Sequence, residues 1–259
     1  MNIHALSACL LSVLLLFSLP AYPEAGKGAP PYTRQLGWSL GPLLLVVDQP
    51  YRGKGTRMLA VPAVGYQGEY VFVQGLRLGV HVKRSRQLSF DVLLQPRLSA
   101  FKASDITDVP GLEDRRDSAD AGFKLSIGLQ GAGALGMTAL TDILGRSDGQ
   151  EFDLRYEYPL LLSGTRISPW IGARWLSSKF TAYYYGTLPS EVARGAPYYR
   201  PGTAILPQVG VSVSAPIGHS RWTIFTLLTT SFLPAELRDS PLVDGVTATT
   251  FITSVFYRF

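Results

Sequence analysis

Three stretches of this chain alternate apolar and polar residues with a period of two for far longer than an ordinary strand. From Gln87 to Ala100 the even positions are Leu88, Phe90, Val92, Leu94, Pro96, Leu98 and Ala100, while Asp91, Gln95 and Arg97 lie among the odd ones. Ala119, Ala121, Phe123, Leu125 and Ile127 alternate with Asp120, Gly122, Lys124, Ser126 and Gly128. Phe152, Leu154, Tyr156 and Tyr158 alternate with Glu151, Asp153, Arg155 and Glu157. A helix is excluded there, because a two-residue period scatters apolar side chains around its axis. The runs extend over roughly a dozen residues, whereas strands of soluble proteins average about five or six. A tilted strand needs roughly nine to eleven residues to cross a bilayer. Long strands with one continuous apolar face therefore predict an all-β fold, an antiparallel transmembrane β-barrel of the outer-membrane type.

The rest of the chain reads as more of the same wall. Further strands are predicted over 35–47 (bent or broken around Gly41-Pro42), 57–67, 76–83, 167–175, 205–215, 221–233 and 246–259. Ten strands stand out, and twelve result if Tyr70 to Val73 and the weaker run over 134–142 also cross. An even number puts both ends of the wall on the periplasmic side. Closure pairs the backbone N–H and C=O groups that lipid leaves unsatisfied at several kcal/mol each. The longest loops fall at 102–118, 179–201 and 234–245.

The amino end precedes the wall. An apolar core from Ala5 to Leu19, broken by Pro20 and followed by small residues, reads as a cleaved signal peptide over 1–25, with cleavage after Ala21 or Ala25. The barrel is then residues 26–259. Cys9, the single cysteine, leaves with the leader, so neither a disulfide nor a thiolate site is expected in the mature chain. After the first twenty residues no run of eighteen apolar residues occurs, which excludes a later spanning helix. The formal net charge of +5 lies partly in Lys83-Arg84-Ser85-Arg86 and Arg115-Arg116, read as solvated turns with a possible second use in contact with anionic lipopolysaccharide. An exported chain with no recognition helix or stacking module is not expected to bind nucleic acid.

Chemistry is sparse. The mature chain keeps two histidines, His81 on the polar face of a strand and His219 in a turn, without a nucleophile motif or metal-ligand spacing. The expectation is a non-enzymatic protein without cofactor or metal. Asp91, Arg97, Lys124, Asp153, Arg155 and Glu157 belong to the lumen face and are expected to pair there, being too costly against lipid. Tyr183, Tyr184, Tyr185 and Tyr198 read as an interfacial girdle or, as the second choice, an interaction loop outside the cell. Asp239, Ser240 and Pro241 form a stiff loop with a possible partner contact.

Two resemblances sharpen this reading. The last strand places Phe251, Val255, Tyr257 and Phe259 on one face and ends on an aromatic residue. It resembles the closing strand of bacterial outer-membrane barrels, which implies that the outer-membrane assembly machinery reads it. More broadly, Val61-Pro62-Ala63-Val64-Gly65-Tyr66 followed by Phe72-Val73-Gln74-Gly75, then Tyr183-Tyr184-Tyr185-Gly186 with Pro201-Gly202, then Asp239-Ser240-Pro241-Leu242-Val243, are similar to the MipA/OmpV family of outer-membrane proteins. Tyr185 stands where that family is expected to carry Phe. The resemblance covers about Gly37 to Phe259 and implies a location in the outer membrane of a Gram-negative bacterium. It also implies a scaffold that brings a murein hydrolase together with a peptidoglycan synthase. Other members look like adhesins or porin-like channels, and the family has no agreed catalytic residues to carry over.

Overall fold

The computed structural model describes residues 36–53, 56–85, 87–97, 99, 101–106 and 108–259. The leader read over 1–25 lies outside them. Thirteen strands follow one another antiparallel: β1 (Gly37–Asp48), β2 (Arg57–Gln67), β3 (Val71–Gln74), β4 (Arg77–Arg84), β5 (Leu88–Arg97), β6 (Ser118–Gly128), β7 (Ala134–Asp142), β8 (Gln150–Glu157), β9 (Leu160–Leu162), β10 (Thr165–Leu176), β11 (Ala204–Pro216), β12 (Trp222–Phe232) and β13 (Thr247–Arg258). Both β8 and β9 pair with β10, on either side of Tyr158-Pro159, and act as two halves of one wall strand. Pairing of β13 with β1, and of β10 with β11, closes the ring, a barrel of twelve wall strands.

Both of the uncertain strands are thus present. The run over 134–142 is a full wall strand, β7. Its neighbour in that expectation, β3, has only four residues and does not cross on its own. The first strand is not broken: β1 runs continuously from Gly37 to Asp48, and Pro42 shows as a gap in the ladder to β13, where Ser254 Oγ donates to Pro42 O at 2.9 Å. Proline lacks the N–H that the ladder needs, so the serine hydroxyl takes over the carbonyl it leaves.

Following the registers once around the ring, the ladder returns to β1 displaced by about sixteen residues, which at ~3.3 Å per residue and ~4.7 Å between strands sets a tilt of roughly 45°. At that tilt an eleven-residue strand such as β2 rises about 25 Å, the height of the apolar band of an outer-membrane barrel.

The two faces sort as the alternation requires. Val92, Leu94, Phe123, Phe152, Leu154, Ile171, Val209, Ile224 and Leu228 are exposed on the outside. Asp91, Gln95, Arg97, Asp120, Glu151 and Glu157 are buried in the interior. An outside this apolar and an inside this charged is the reverse of a water-soluble protein, and it makes the wall a transmembrane one. The interior is not uniformly polar. Leu43, Leu45, Val47, Leu59, Phe225, Leu227 and Ile252 line the inner face of β1, β2, β12 and β13.

Connections at the terminal end are short. At Ser163-Gly164 both residues take positive φ, 49° and 82°, the signature of the two-residue turn whose twist matches a hairpin. Connections at the opposite end, apart from the two-residue turn Gly75-Leu76 between β3 and β4, are long and carry the short helices α1 (Ser178–Tyr184), α2 (Pro189–Ala193) and α3 (Ala235–Arg238). Short periplasmic turns and long outer loops are the rule for such barrels, so the termini face the periplasm.

Candidate functional site

The long loops fold inward and fill the outer mouth. Tyr51, Phe101, Ile106, Val109, Leu176, Phe180, Tyr184, Leu206, Leu237, Leu242 and Val243 pack there as one buried cluster. Helix α1 starts because Ser177 caps it, its side chain accepting from the Phe180 N–H. It then turns Phe180 and Tyr184 inward on successive turns, with ring centroids 4.8 Å apart. Tyr51 stacks against Tyr185 at 5.7 Å and tilts onto Phe101 at 5.0 Å, joining the first, second and fourth long loops of the mouth.

The girdle reading of these tyrosines is overturned. Tyr184 is 0% exposed, and Tyr183 and Tyr185 pack against the same cluster. A girdle tyrosine would sit on the outer face at headgroup depth, but these three lie in a loop and helix that turn into the lumen. Burial, only partly offset by Arg174 and reinforced by Glu151, pushes the Tyr185 phenol up to about 12, so it stays neutral. Tyr198 alone of the four is widely exposed, at 72%. Its neighbour Tyr199 is half-buried and donates to Glu236 O at 3.0 Å.

The loop at 239–241 joins the same structure. Ser240 Oγ donates to Tyr185 O at 2.6 Å and accepts from the Leu242 N–H, while Arg52 Nε donates to Pro241 O at 3.2 Å. Tyr183 to Tyr185 and Ser240-Pro241, far apart in the chain, therefore meet, whereas Asp239 stays exposed.

The centre of the plug is an ion pair that nothing in the sequence pattern points to. Arg115 Nη1 and Nη2 donate to the two carboxylate oxygens of Glu191 at 2.6 and 2.9 Å, with both side chains fully buried. Its remaining donors reach Tyr183 O at 2.5 Å, Glu113 O at 3.0 Å and Gly186 O at 3.1 Å, so all five guanidinium N–H groups are used. Glu191 also accepts from the backbone N–H of Leu188 and Glu113. Burial would raise the Glu191 carboxyl, but these donations outweigh it and hold it below the ordinary carboxylate range. Arg115, expected in a solvated turn, is thus a buried clamp between two loops.

Below the plug Asp91, Arg97, Asp153 and Glu157 form ion pairs, each with a partner outside the predicted set. Arg97 meets Asp120 at 2.8 Å, His81 meets Asp91 at 2.6 Å, and Arg174 reaches both Asp153 and Glu151 within 3.5 Å. Arg155 lies over the Trp170 ring at 3.7 Å, and Asp91 stands opposite Lys124 in register. His81 is held between Asp91, Gln67 and Arg84. Among the described residues no group of three His, Cys, Asp or Glu could hold a metal ion.

Comparison with known proteins adds the following. Residues 40–259 match the family model described as MltA-interacting protein MipA. The chain is 30% identical over 227 residues to MltA-interacting protein of Escherichia coli (strain K12), covering 86% of this chain and 90% of that one. It is 26% identical over 250 residues to a second protein of that strain, named "Putative outer membrane protein YiaT", covering 96% and 98%. Among solved structures, Neisserial surface protein A superposes with a TM-score of 0.28 at 11% identity, covering 86% of this chain and 97% of that one. The Vibrio cholerae outer membrane protein OmpT superposes with a TM-score of 0.36 at 6% identity, covering 86% and 100%.

Proposed function

Because the chain belongs to the MltA-interacting protein MipA family, we propose that this outer-membrane barrel is a scaffold that holds peptidoglycan-remodelling enzymes at the inner surface of the outer membrane. The observation that carries the scaffold over the channel is the filled mouth. A pore needs a continuous wet path, and the Tyr184 cluster with its buried Arg115–Glu191 clamp occupies the outer end of the lumen. The E. coli relative is named for interacting with MltA, and the family resemblance implies a murein hydrolase as the enzyme held, with a peptidoglycan synthase as the second. Such enzymes reach the barrel from the periplasm, so the contact falls to the terminal end. Lys83, Arg221 and Arg258 lie there against Glu69, a basic rim suited to an acidic protein face or anionic cell-wall polymer. Tyr198 and Asp239, exposed on the opposite end, serve a partner contact outside the cell.

Folded barrel immobilised in detergent is expected to retain a purified murein hydrolase. Lys83→Glu with Arg221→Glu is expected to weaken that retention several-fold and to steepen its loss with salt. Absence of retention, together with stable open steps in planar bilayers, would replace the scaffold by a small-solute channel.

Phe251, Val255, Tyr257 and Phe259 keep the assembly role read from the closing strand. Their side chains lie on the face opposite the buried Ile252 and Ser254, and Tyr257 meets both Trp222 and Phe259 edge-on. Removing Phe259 is expected to lower the yield of heat-modifiable barrel in cells while leaving refolding in detergent intact. Equal losses in both settings would reduce the aromatic ending to ordinary packing.

A further inference from the structure

We propose that the wall carries a lateral port facing the outer leaflet, where a phosphate-bearing lipid places its headgroup oxygens on Gln95 beside Arg77. With the tilt allowed for, every wall strand rises to about the same height except β3 and β4, which stop about five residues short of it. β2 is paired with β3 only over Gly65–Gln67, and the last bond across that seam runs from Gly75 N–H to Val64 O at 3.0 Å. Above it the edge of β2 at Met58, Ala60 and Pro62 has no cross-strand partner among the described residues.

Proline marks both jambs. Pro42 and Pro62 face each other across β1 and β2, a pair in which neither can donate, so the bonding edge of Pro62 is turned to the opening. Counting the alternation through β3 and β4 to β5 turns the bonding edge of Pro96 to the opening from the other side. Where a ladder bond cannot form, a wall strand has nothing to add to, and blunted edges of this kind also discourage another strand from joining. The opening is therefore written into the sequence at Pro62 and Pro96.

Its surroundings specify the occupant. The outer frame is apolar, with Met58 at 70% exposure and Val64, Leu76, Leu78 and Leu94 also exposed, so lipid borders it. Behind one jamb lie Leu59, Val61 and Ala63 of the apolar inner wall, a surface for an acyl chain. At the sill, Gln95 is 4% exposed and accepts from Arg77 Nε at 2.9 Å, yet its own Nε2 has no partner among the described residues. Arg97 Nη1, two residues along the same inner face, is likewise unpartnered and buried. Buried donors without acceptors are costly, and a phosphate or ester oxygen supplies what they lack. A second protein strand is the poorer fit because of the two prolines.

The port is independent of the scaffold role and is tested without any partner enzyme. A benzophenone side chain replacing Val61 is placed in phosphatidylcholine vesicles containing phosphatidylglycerol as the minor lipid and irradiated. The same group at Ser212, on the inner face of the closed wall, is the reference, and Ala63 replaces Val61 if that variant loses its heat-modifiable band. The expected result is lipid adducts at Val61 and none at Ser212, enriched in phosphatidylglycerol, with the enrichment falling several-fold in Gln95→Leu. No adduct at either β2 position, adducts equal to those at Ser212, or adducts without headgroup preference would overturn the proposal. So would loss of the preference under excess inorganic phosphate, which would make the site one for the free ion.

Discussion

Replacing Arg115 with Met is expected to release the plug while leaving the barrel standing. The replacement strands the Glu191 carboxylate, which is 0% exposed, together with the carbonyls of Tyr183 and Gly186 that Arg115 served. Breaking a buried pair by removing one partner costs about 3–5 kcal/mol. That is enough to detach a loop held by one packed cluster, and too local to undo a closed ladder of twelve strands. The predicted signature is rapid proteolytic cleavage between 185 and 203, loss of the near-ultraviolet signal of the packed tyrosines, an unchanged heat-modifiable band, and the appearance of conductance steps in planar bilayers.

Acid should reproduce the effect in the wild type. Glu191 titrates below its unfolded value of about 4.3, so its contribution is present above that pH and is lost as the pH falls through the lower folded value. Glu191→Gln should flatten this acid transition while weakening the plug at every pH. A plug that stays protease-resistant in Arg115→Met would show that the aromatic cluster alone holds the mouth. The scaffold reading would survive that result, but the clamp would not.

Ile171→Arg is expected to destabilise the barrel by about 2–4 kcal/mol in a lipid bilayer, the cost of a cation at the midplane of a lipid-facing wall. Ile171 is 61% exposed and lies near mid-height on β10. Ile205, also exposed but at the outer rim on β11, gives the contrast: Ile205→Arg should cost only about 0–1 kcal/mol, because the charge reaches the interface. Urea unfolding of both variants in vesicles measures the difference. Equal costs at the two depths would mean that the outer face does not lie in hydrocarbon. On a water-soluble barrel both changes would be close to neutral, so the depth dependence itself is the diagnostic quantity.

Much of the wall is legible in the sequence. Leu88 to Ala100 and Ala119 to Ile127 could satisfy a two-residue period only as strands, and their length required an apolar surround. Even the lateral opening left a trace, since Pro62 and Pro96 interrupt otherwise regular runs. The strand number was open because Val71–Gln74 is short, and its membership in the wall depends on hydrogen bonds to β2 and β4, which no local pattern encodes.

The inward turn of the tyrosine loop has no local signature for a related reason. Tyr183 to Tyr185 have the composition of an interfacial girdle, and composition does not say whether a loop turns outward to the headgroups or inward over the lumen. Arg115 and Glu191 stand 76 residues apart in the chain, and each looks like an ordinary surface charge. Alternation along a strand is a local property, fixed by backbone geometry one residue at a time, so the sequence alone determined long membrane-crossing strands and which way each of them faces. The filling of the mouth depends on contacts between loops brought together only when the ring closes, and the tertiary structure alone decided it.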